Sequence, residues 1–522
     1  MRRYAFIVLF FIVLVAPFVV QRVVARGERA AETRGSRDAP ELVIVTPHNQ
    51  DIRRTFARAF SDWHREKHGT PVRVTYLTPG GTNDIVRMLA DTYGAMKDPR
   101  TGQLPPPEQV NVSIDLVWGG GDTVFDRDLK SVGALQPVKL EPSVLKDAFP
   151  TSDLNGVPLY ERTKDGSPPK WVGVALSSFG IVYNPQMYDA LKLPEPATWD
   201  DLARPQLAGF VALADPTRSG SAAVAYMMAI QRGMADEEAG FFAKHPELKN
   251  TPTSELEKSN HEYQEALGRG WKKGMRTLLL MAANARYFTD SASQVPNDVG
   301  NGDAAAGVAI DFYGRVYQQE IGPERIRYVS PRAATAINPD PIAVLYGIRG
   351  EREVLANRFV EFLLTPQAQR LWNLQPGYGP HVERSLRRLP IRRDVYQDKG
   401  GWADPEANPF EESGGFNMRL DWMRLFSDVR PVWAAAWIDS RSALKEAYEE
   451  ILEVKDEARR DRLLFDLSDL PIEMEDVAEQ NATRRTLEEE KKDARLWMTK
   501  QRVDWANTFR EHYRLVGEEA RR

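Results

Sequence analysis

Five consecutive residues, Thr217, Arg218, Ser219, Gly220 and Ser221, separate a strand-like run from an Ala-rich one. Their types suit the holding of an anion. A helix start exposes unpaired N–H groups and the positive end of its macrodipole, and small residues there let an anionic group approach closely. Arg218 adds a guanidinium capable of a bidentate contact. The same residues also suit a plain N-cap, with Ser219 or Ser221 satisfying its own helix, and Arg218 suits an exposed loop charge. Three other loops carry residues of comparable use: Thr46 to Asn49, which includes His48; Gly80, Gly81 and Thr82; and Gly119 to Asp122, centred on Gly120. Glycine lets a backbone come close to a ligand, and it equally makes tight turns.

Catalytic and metal chemistry find less support. His64 and His68 lie four apart in "HREKH", a spacing able to bind zinc. This is not the H-E-x-x-H of a metalloprotease, and the flanking Arg65, Glu66 and Lys67 read as a solvated helix end. Ser219 in "TRSGS" is not a G-x-S-x-G elbow, and no His follows it in a partner motif. The residues therefore imply no enzyme, no metal and no cofactor.

The elements that must position these loops alternate between strand and helix. "ELVIVTP" (41–47) reads as a buried strand, and Ile52, Phe56, Phe60 and Trp63 recur at helical spacing up to Gly69. "PVRVTYL" alternates as a second strand, "TPGGTNDIVRMLADTYG" turns into a helix, and "VSIDLVWGGG" is a third strand. The alternation resumes with the strand-like run 171–185, the strand "GFVALAD", a helix from Ala222, and a strand over 304–316 that runs into Asp311, Phe312 and Tyr313. This pattern implies parallel-rich α/β architecture. Residues 400–435 look irregular. From Ser440 the chain is helical and heavily charged, and its Trp497, Trp505 and Phe509 suit either packing on the body or a partner surface.

The 522 residues suffice for two or three domains, and a net charge of -5 excludes binding dominated by nucleic-acid phosphates. The absence of Cys excludes disulfides, thiolate catalysis and a lipid-modified N-terminal Cys. Arg2 and Arg3 precede an apolar run from Tyr4 to Val20, the pattern of an export signal and just long enough to span a bilayer. The expectation is a signal-anchor or signal peptide over 1–25, a tether over 26–40, and a body outside the cytoplasmic membrane.

The order of several segments resembles the extracellular solute-binding proteins of ABC importers, the type that includes ferric-ion, phosphonate, polyamine and sugar-phosphate receptors. The resemblance is most specific over 177–221: Tyr183–Asn184, Pro196, Trp199 to Leu202, Pro205, Gly209, Asp215–Pro216 and Ser219–Gly220. "VGNGDAAAGVAIDFYG" and "EFLLTPQAQRLW" resemble later family segments, and the likeness covers roughly 40–395. It implies a two-lobe, type II-like α/β binding-protein fold with two crossovers: lobe one from 41–171 and 330–400, lobe two from 172–329, and a C-terminal extension over 401–522. It places the crossings near 172–182 and 312–329. It implies that Ser177 and Ser178 sit near the hinge, that Thr217 to Ser221 form an anion-binding loop, and that Asp311 and Tyr313 face the ligand. Ferric receptors use adjacent tyrosines where this chain has Asp311–Phe312–Tyr313. Their Glu is replaced by the glycines at 119–121, and His48 is not clearly in register with their His. The expected ligand is therefore a small anion such as an organic phosphate or phosphonate, handed by a monomeric receptor to a membrane permease. The alternatives are a ferric-ion receptor or a membrane-tethered sensor or scaffold.

Overall fold

The computed structural model describes residues 39–522 apart from 164, 332, 412–415, 417, 420 and 491. The apolar run at 4–20 lies outside the described residues. Among those described, no helix is long and apolar enough to cross a membrane.

The first half begins with β1 (Glu41–Val45), α1 (Gln50–His68), β2 (Arg73–Leu77), α2 (Thr82–Gly94) and β3 (Leu116–Trp118). Ile52, Phe56 and Phe60 bury one face of α1, and Gly69, at φ 81°, ends it in the left-handed conformation that glycine adopts without strain. β1 pairs in parallel with both β2 and β3. The second half contains β4 (Val172–Tyr183), β5 (Val211–Ala214), α3 (Gly220–Lys244), α4 (His261–Ala283), β6 (Ala285–Thr289), β7 (Ala306–Ile310), α5 (Asp311–Ile321) and β8 (Arg327–Val329). Here β5 pairs in parallel with β6 and β7. The chain returns through β9 (Ile337–Leu345).

Joining the halves is the work of β4. All twelve of its residues are buried. Val172 to Ser178 pair with β9 on the side of the first lobe, and Phe179 to Tyr183 pair with β7 on the side of the second. The sheet therefore runs β2-β1-β3-β9-β4-β7-β5-β6 without a break, over two main hydrophobic cores. This is a mixed α/β fold of two lobes, with further helices at the C-terminus.

Two details differ from the sequence reading. The strand expected over 304–316 ends at Ile310, and Asp311 opens α5 instead. The return crossing consequently lies between β8 and β9, at 330–336, rather than within 312–329. Strand and helix templates compete over this short apolar run, and only pairing with β4, which stops at Ile310, decides between them.

Within the second lobe, α3 and α4 cross at backbone contact. A Cβ on Gly233 would lie 2.4 Å from the Gly270 carbonyl oxygen, and one on Gly274 would lie 2.4 Å from the Ile230 Cα. The extension packs onto the same core. Phe410 lies against the first core, while Phe416, Trp422, Trp433, Trp437, Phe509 and Tyr513 belong to the second. The chain has thus changed lobes a third time. Trp433 and Trp437 stack at 5.5 Å, each edge-on to Tyr226 of α3. Of the aromatic residues in the C-terminal tail, Phe509 is buried and Trp505 packs partly against the core. We expect Trp433→Ala to cost about 3–5 kcal/mol in denaturant unfolding. A loss below about 1 kcal/mol would place the extension outside the cooperative core.

Candidate functional site

Loops that follow parallel strands in the two lobes meet, as they do at the ligand crevices of α/β sheets: Asn83, next to Gly80 to Thr82, reaches the carbonyls of Thr217 and Arg218. From the first lobe come Thr46 to Asn49, Gly80 to Thr82 and Gly119 to Asp122. From the second come Thr217 to Ser221, Asp290 and Asp311.

Ser219 caps α3 by accepting from the Ala222 N–H at 3.3 Å, and its hydroxyl lies 3.3 Å from that of Ser221. The plain N-cap role is therefore realised, with Gly220 and Ser221 supplying the first-turn N–H groups that no helix can satisfy internally. Asp215 accepts from the Thr217 N–H at 2.7 Å and from its hydroxyl at 2.6 Å. From the other lobe, Asn83 donates to the carbonyls of Thr217 at 3.3 Å and Arg218 at 2.7 Å. Arg218 turns outward, 60% exposed, and pairs with Asp290 at the end of β6.

At the base of the cleft lies a buried charged cluster. Arg388 is 3% exposed and donates to Asp340 at 2.6 Å and to the Ser177 hydroxyl at 2.7 Å. Its guanidinium lies 4.4 Å from the ring of Phe312 in the second lobe. His48 Nε2 lies 2.7 Å from Asp340, and Nδ1 lies 2.9 Å from the Thr46 hydroxyl. The Arg388 Nη1 lies 3.0 Å from the same Nε2, and burial lowers His48 from its ordinary value against the opposing pull of Asp340. The Gly120 N–H completes the shell of Asp340 at 3.1 Å. Burial pushes Asp340 upward, yet Arg388, His48 and the Gly120 N–H hold it well below the usual carboxylate range. Its flanks Pro339 and Pro341 coincide with an irregularity in the β9–β4 register, a device that re-aims a side chain out of a strand.

Asp311 opens α5 with no exposed surface. Oδ1 accepts from the Phe312 N–H at 2.8 Å, and Oδ2 has no hydrogen-bond partner among the described residues. Burial raises its pKa, opposed by Arg315 and the Phe312 N–H. Ser178 meets the Tyr328 hydroxyl at 3.2 Å. Tyr313 is half-buried beside Phe312.

The structure therefore brings His48, Gly120, Ser177, Ser178, Asp311 and Tyr313 to the base of the cleft, with Thr82 and Thr217 to Ser221 facing each other above. A Cβ on Gly120 would lie 2.7 Å from the Thr82 Cγ2. Asn49 stands apart, exposed and capping α1 through the Ile52 N–H at 3.1 Å. Gly80 and Gly81 are exposed, and Gly81 is the N-cap position of α2. Sequence reading missed Arg388, Asp340 and Asn83. The signals available were a charge between two prolines in a buried strand and the adjacent arginines of "RSLRRLP". Among the described residues, no three His, Asp or Glu side chains are grouped to hold a metal ion. His64 meets the Thr70 carbonyl and Arg358 instead.

Two measurements test this electrostatics. Asp340→Ala strands Arg388 in a buried site and should cost about 3–5 kcal/mol in unfolding; a neutral outcome would mean Arg388 finds water. Asp122 is buried, accepts from Asn338 at 3.4 Å, and is pushed by burial from 3.8 up to about 6. The folded form then binds the proton more tightly, so stability falls as pH rises through this window. The stability of Asp122→Asn relative to wild type should rise by about 2.4 kcal/mol between pH 4 and 7. A flat difference would place this carboxylate in water.

A family model described as bacterial extracellular solute-binding protein matches residues 115–390, more than half of the chain. The phosphoglycerate transport regulatory protein of Salmonella typhimurium is 26% identical over 229 residues, which are 44% of this chain and 45% of that protein. The Salmonella typhi protein matches equally. The chain thus aligns with under half the length of these curated relatives. Among solved structures, the periplasmic binding protein P5PA is similar over 75% of this chain and 98% of its own, at 14% identity and a TM-score of 0.48. The periplasmic binding protein AfuA from Actinobacillus pleuropneumoniae, with exogenous fructose-6-phosphate bound, is similar over 74% and 98%, at 17% identity and a TM-score of 0.45.

Proposed function

Because the chain belongs to the bacterial extracellular solute-binding proteins, we propose that it is the receptor of an ABC importer that closes its lobes around one small anionic solute. The observation that carries this reading is the loop Thr217 to Ser221. Its carbonyls at 217 and 218 are engaged by Asn83 of the opposite lobe, and the start of α3 at Gly220 carries first-turn N–H groups with no intrahelical acceptor. An anion there would gain charge-assisted bonds from Gly220, Ser221 and the Ser219 hydroxyl. The buried carboxyl of Asp311, whose Oδ2 has no hydrogen-bond partner among the described residues, suits a hydroxyl at the other end of the same solute.

A phosphorylated hydroxy acid or sugar has this pair of ends. The name of the Salmonella relative supports starting with phosphoglycerates. We assign the receptor to the periplasm, tethered by the apolar run at 4–20, and passing its solute to a membrane permease. The third connection between lobes and the relative's regulatory designation favour a second reading, a membrane-tethered sensor on the same fold.

Thermal-shift titration with 2- and 3-phosphoglycerate, hexose phosphates, phosphonates and ferric citrate tests the receptor reading. A true solute at a hundred times its Kd should stabilise the protein by about 2.7 kcal/mol, and Ser219→Ala should weaken it about tenfold. Absence of any shift across the panel would sink the small-anion reading. Unchanged affinity in Ser219→Ala would remove the loop from the site. Arg218→Ala should have the smaller effect, because its guanidinium is already paired with Asp290.

A further inference from the structure

The C-terminal extension reaches the back of the anion loop. Helix α6 (Phe426–Trp433) carries Arg430, whose Nε donates to the Pro216 carbonyl at 2.7 Å and whose Nη2 lies 3.2 Å from the Thr217 carbonyl. Its guanidinium also lies 5.5 Å from the ring of Phe426. On that ring sits a second guanidinium, that of Arg127, at 5.9 Å. Arg127 belongs to the first lobe, in the helical turn Val124–Leu129 that follows Gly119 to Asp122. One aromatic ring of the extension thus stands between an arginine of the first lobe and an arginine gripping the loop of the second.

We infer that Arg430 is a positioning residue for the anion loop, so that solute affinity depends on the C-terminal extension; this rests on the anion-binding reading above. Two side chains fix three consecutive carbonyls. Arg430 takes those of Pro216 and Thr217, and Asn83 takes those of Thr217 and Arg218. Asp215 holds the Thr217 N–H and hydroxyl. The N–H groups on the same three peptide planes are held as well, that of Thr217 by the Asp215 carboxylate and those of Arg218 and Ser219 by the Asp215 carbonyl at 3.1 and 2.8 Å, so the backbone is fixed up to Gly220 and Ser221, whose first-turn N–H groups have no intrahelical acceptor. Preorganised donors of this kind lose no free energy to reorganisation when the anion arrives. The grip is itself rigid. Trp433, three residues beyond Arg430, is fully buried against Tyr226, and the Tyr226 hydroxyl donates to the carbonyl of Ala214 at the end of β5. The extension therefore anchors both to the strand that delivers the loop and to the loop itself. Arg430 lies beyond the 115–390 segment matched by the family, so this support comes from outside the family's own module. The charge on Arg430 responds to the same surroundings. Burial and the neighbouring Arg127 disfavour it, whereas Asp128 and Asp215 favour it. An anion at the start of α3 would add to that favourable side.

Full-length Arg430→Met and Arg430→Lys test the inference with two readouts. The first is amide hydrogen exchange in the absence of solute. Arg430→Met should speed exchange at 217–223 by at least about tenfold, with the core strands unchanged and the melting temperature held within a degree or two. Arg430→Lys should restore most of the protection. The second is calorimetric affinity for 3-phosphoglycerate and inorganic phosphate, which should fall about tenfold in Arg430→Met and recover in part in Arg430→Lys. Unchanged loop exchange in Arg430→Met overturns the inference whether or not a solute binds, as does wild-type affinity in that variant. A wild-type protein that binds none of the anions while Arg430→Met still loosens the loop overturns the anion-binding reading, and with it the claim on affinity. Global loss of folding in Arg430→Met together with wild-type exchange and affinity in Arg430→Lys would reduce Arg430 to generic packing.

Discussion

One strand has to satisfy two lobes at once. Val172 to Tyr183 is buried along its whole length, pairing with β9 over its first seven residues and with β7 over its last five. Every other structural feature of the cleft follows from that sharing. The polar interior must contain Ser177 and Ser178, because they occupy the strand where one partner gives way to the other. Any motion of one lobe against the other must pass through these residues, through the return at 330–336 and through the third connection, between Phe410 and Phe416. A fully buried strand also leaves no backbone polar group for water, so both ladders must stay intact as the lobes move.

The cluster at the hinge fits this constraint. A lone buried arginine or aspartate would be strongly destabilising, whereas Arg388 and Asp340 together, with His48, Ser177 and the Gly120 N–H, form a mutually bonded set that leaves the Arg388 Nε without a hydrogen-bond partner among the described residues. Such a set contributes little net stability over an apolar core of the same shape, but it fixes geometry. Arg388 ties strand β4 to β9 and lays its guanidinium on Phe312 at the start of α5. Arg387 donates to the Arg315 carbonyl at 3.0 Å, and Arg384 pairs with Glu320. Three arginines in five residues of the first lobe thus line one helix of the second, the helix whose first residue is the buried Asp311.

The extension adds a second tie at the opposite end of the cleft. Its tryptophans and helices complete the core of the second lobe, and Phe426 and Arg430 bring it to both sides of the opening. In the receptor reading proposed above, such a brace would trade freedom of opening for a more preorganised closed state.

Much of this was legible in the residues themselves. Periodicity marked β1, α1, β2 and α2, since their burial is set by local alternation or by a 3.6-residue repeat. The Ser219 cap was legible because an N-cap is satisfied within three residues. The two-lobe class followed from the order of segments. What the sequence could not contain was distance. Asp340 lies 48 residues from Arg388 and 292 from His48 along the chain, and no local pattern distinguishes a charge destined for burial from one bound for solvent. No local pattern singles out Asn83 or Arg430, and only packing brings them to the carbonyls of one loop. The boundary at Ile310 was likewise set by where β4 passes from β7 to β9. Local propensity decided which segments fold and where each begins. The desolvation of charges, which depends on everything packed around them, decided which of those segments make the site.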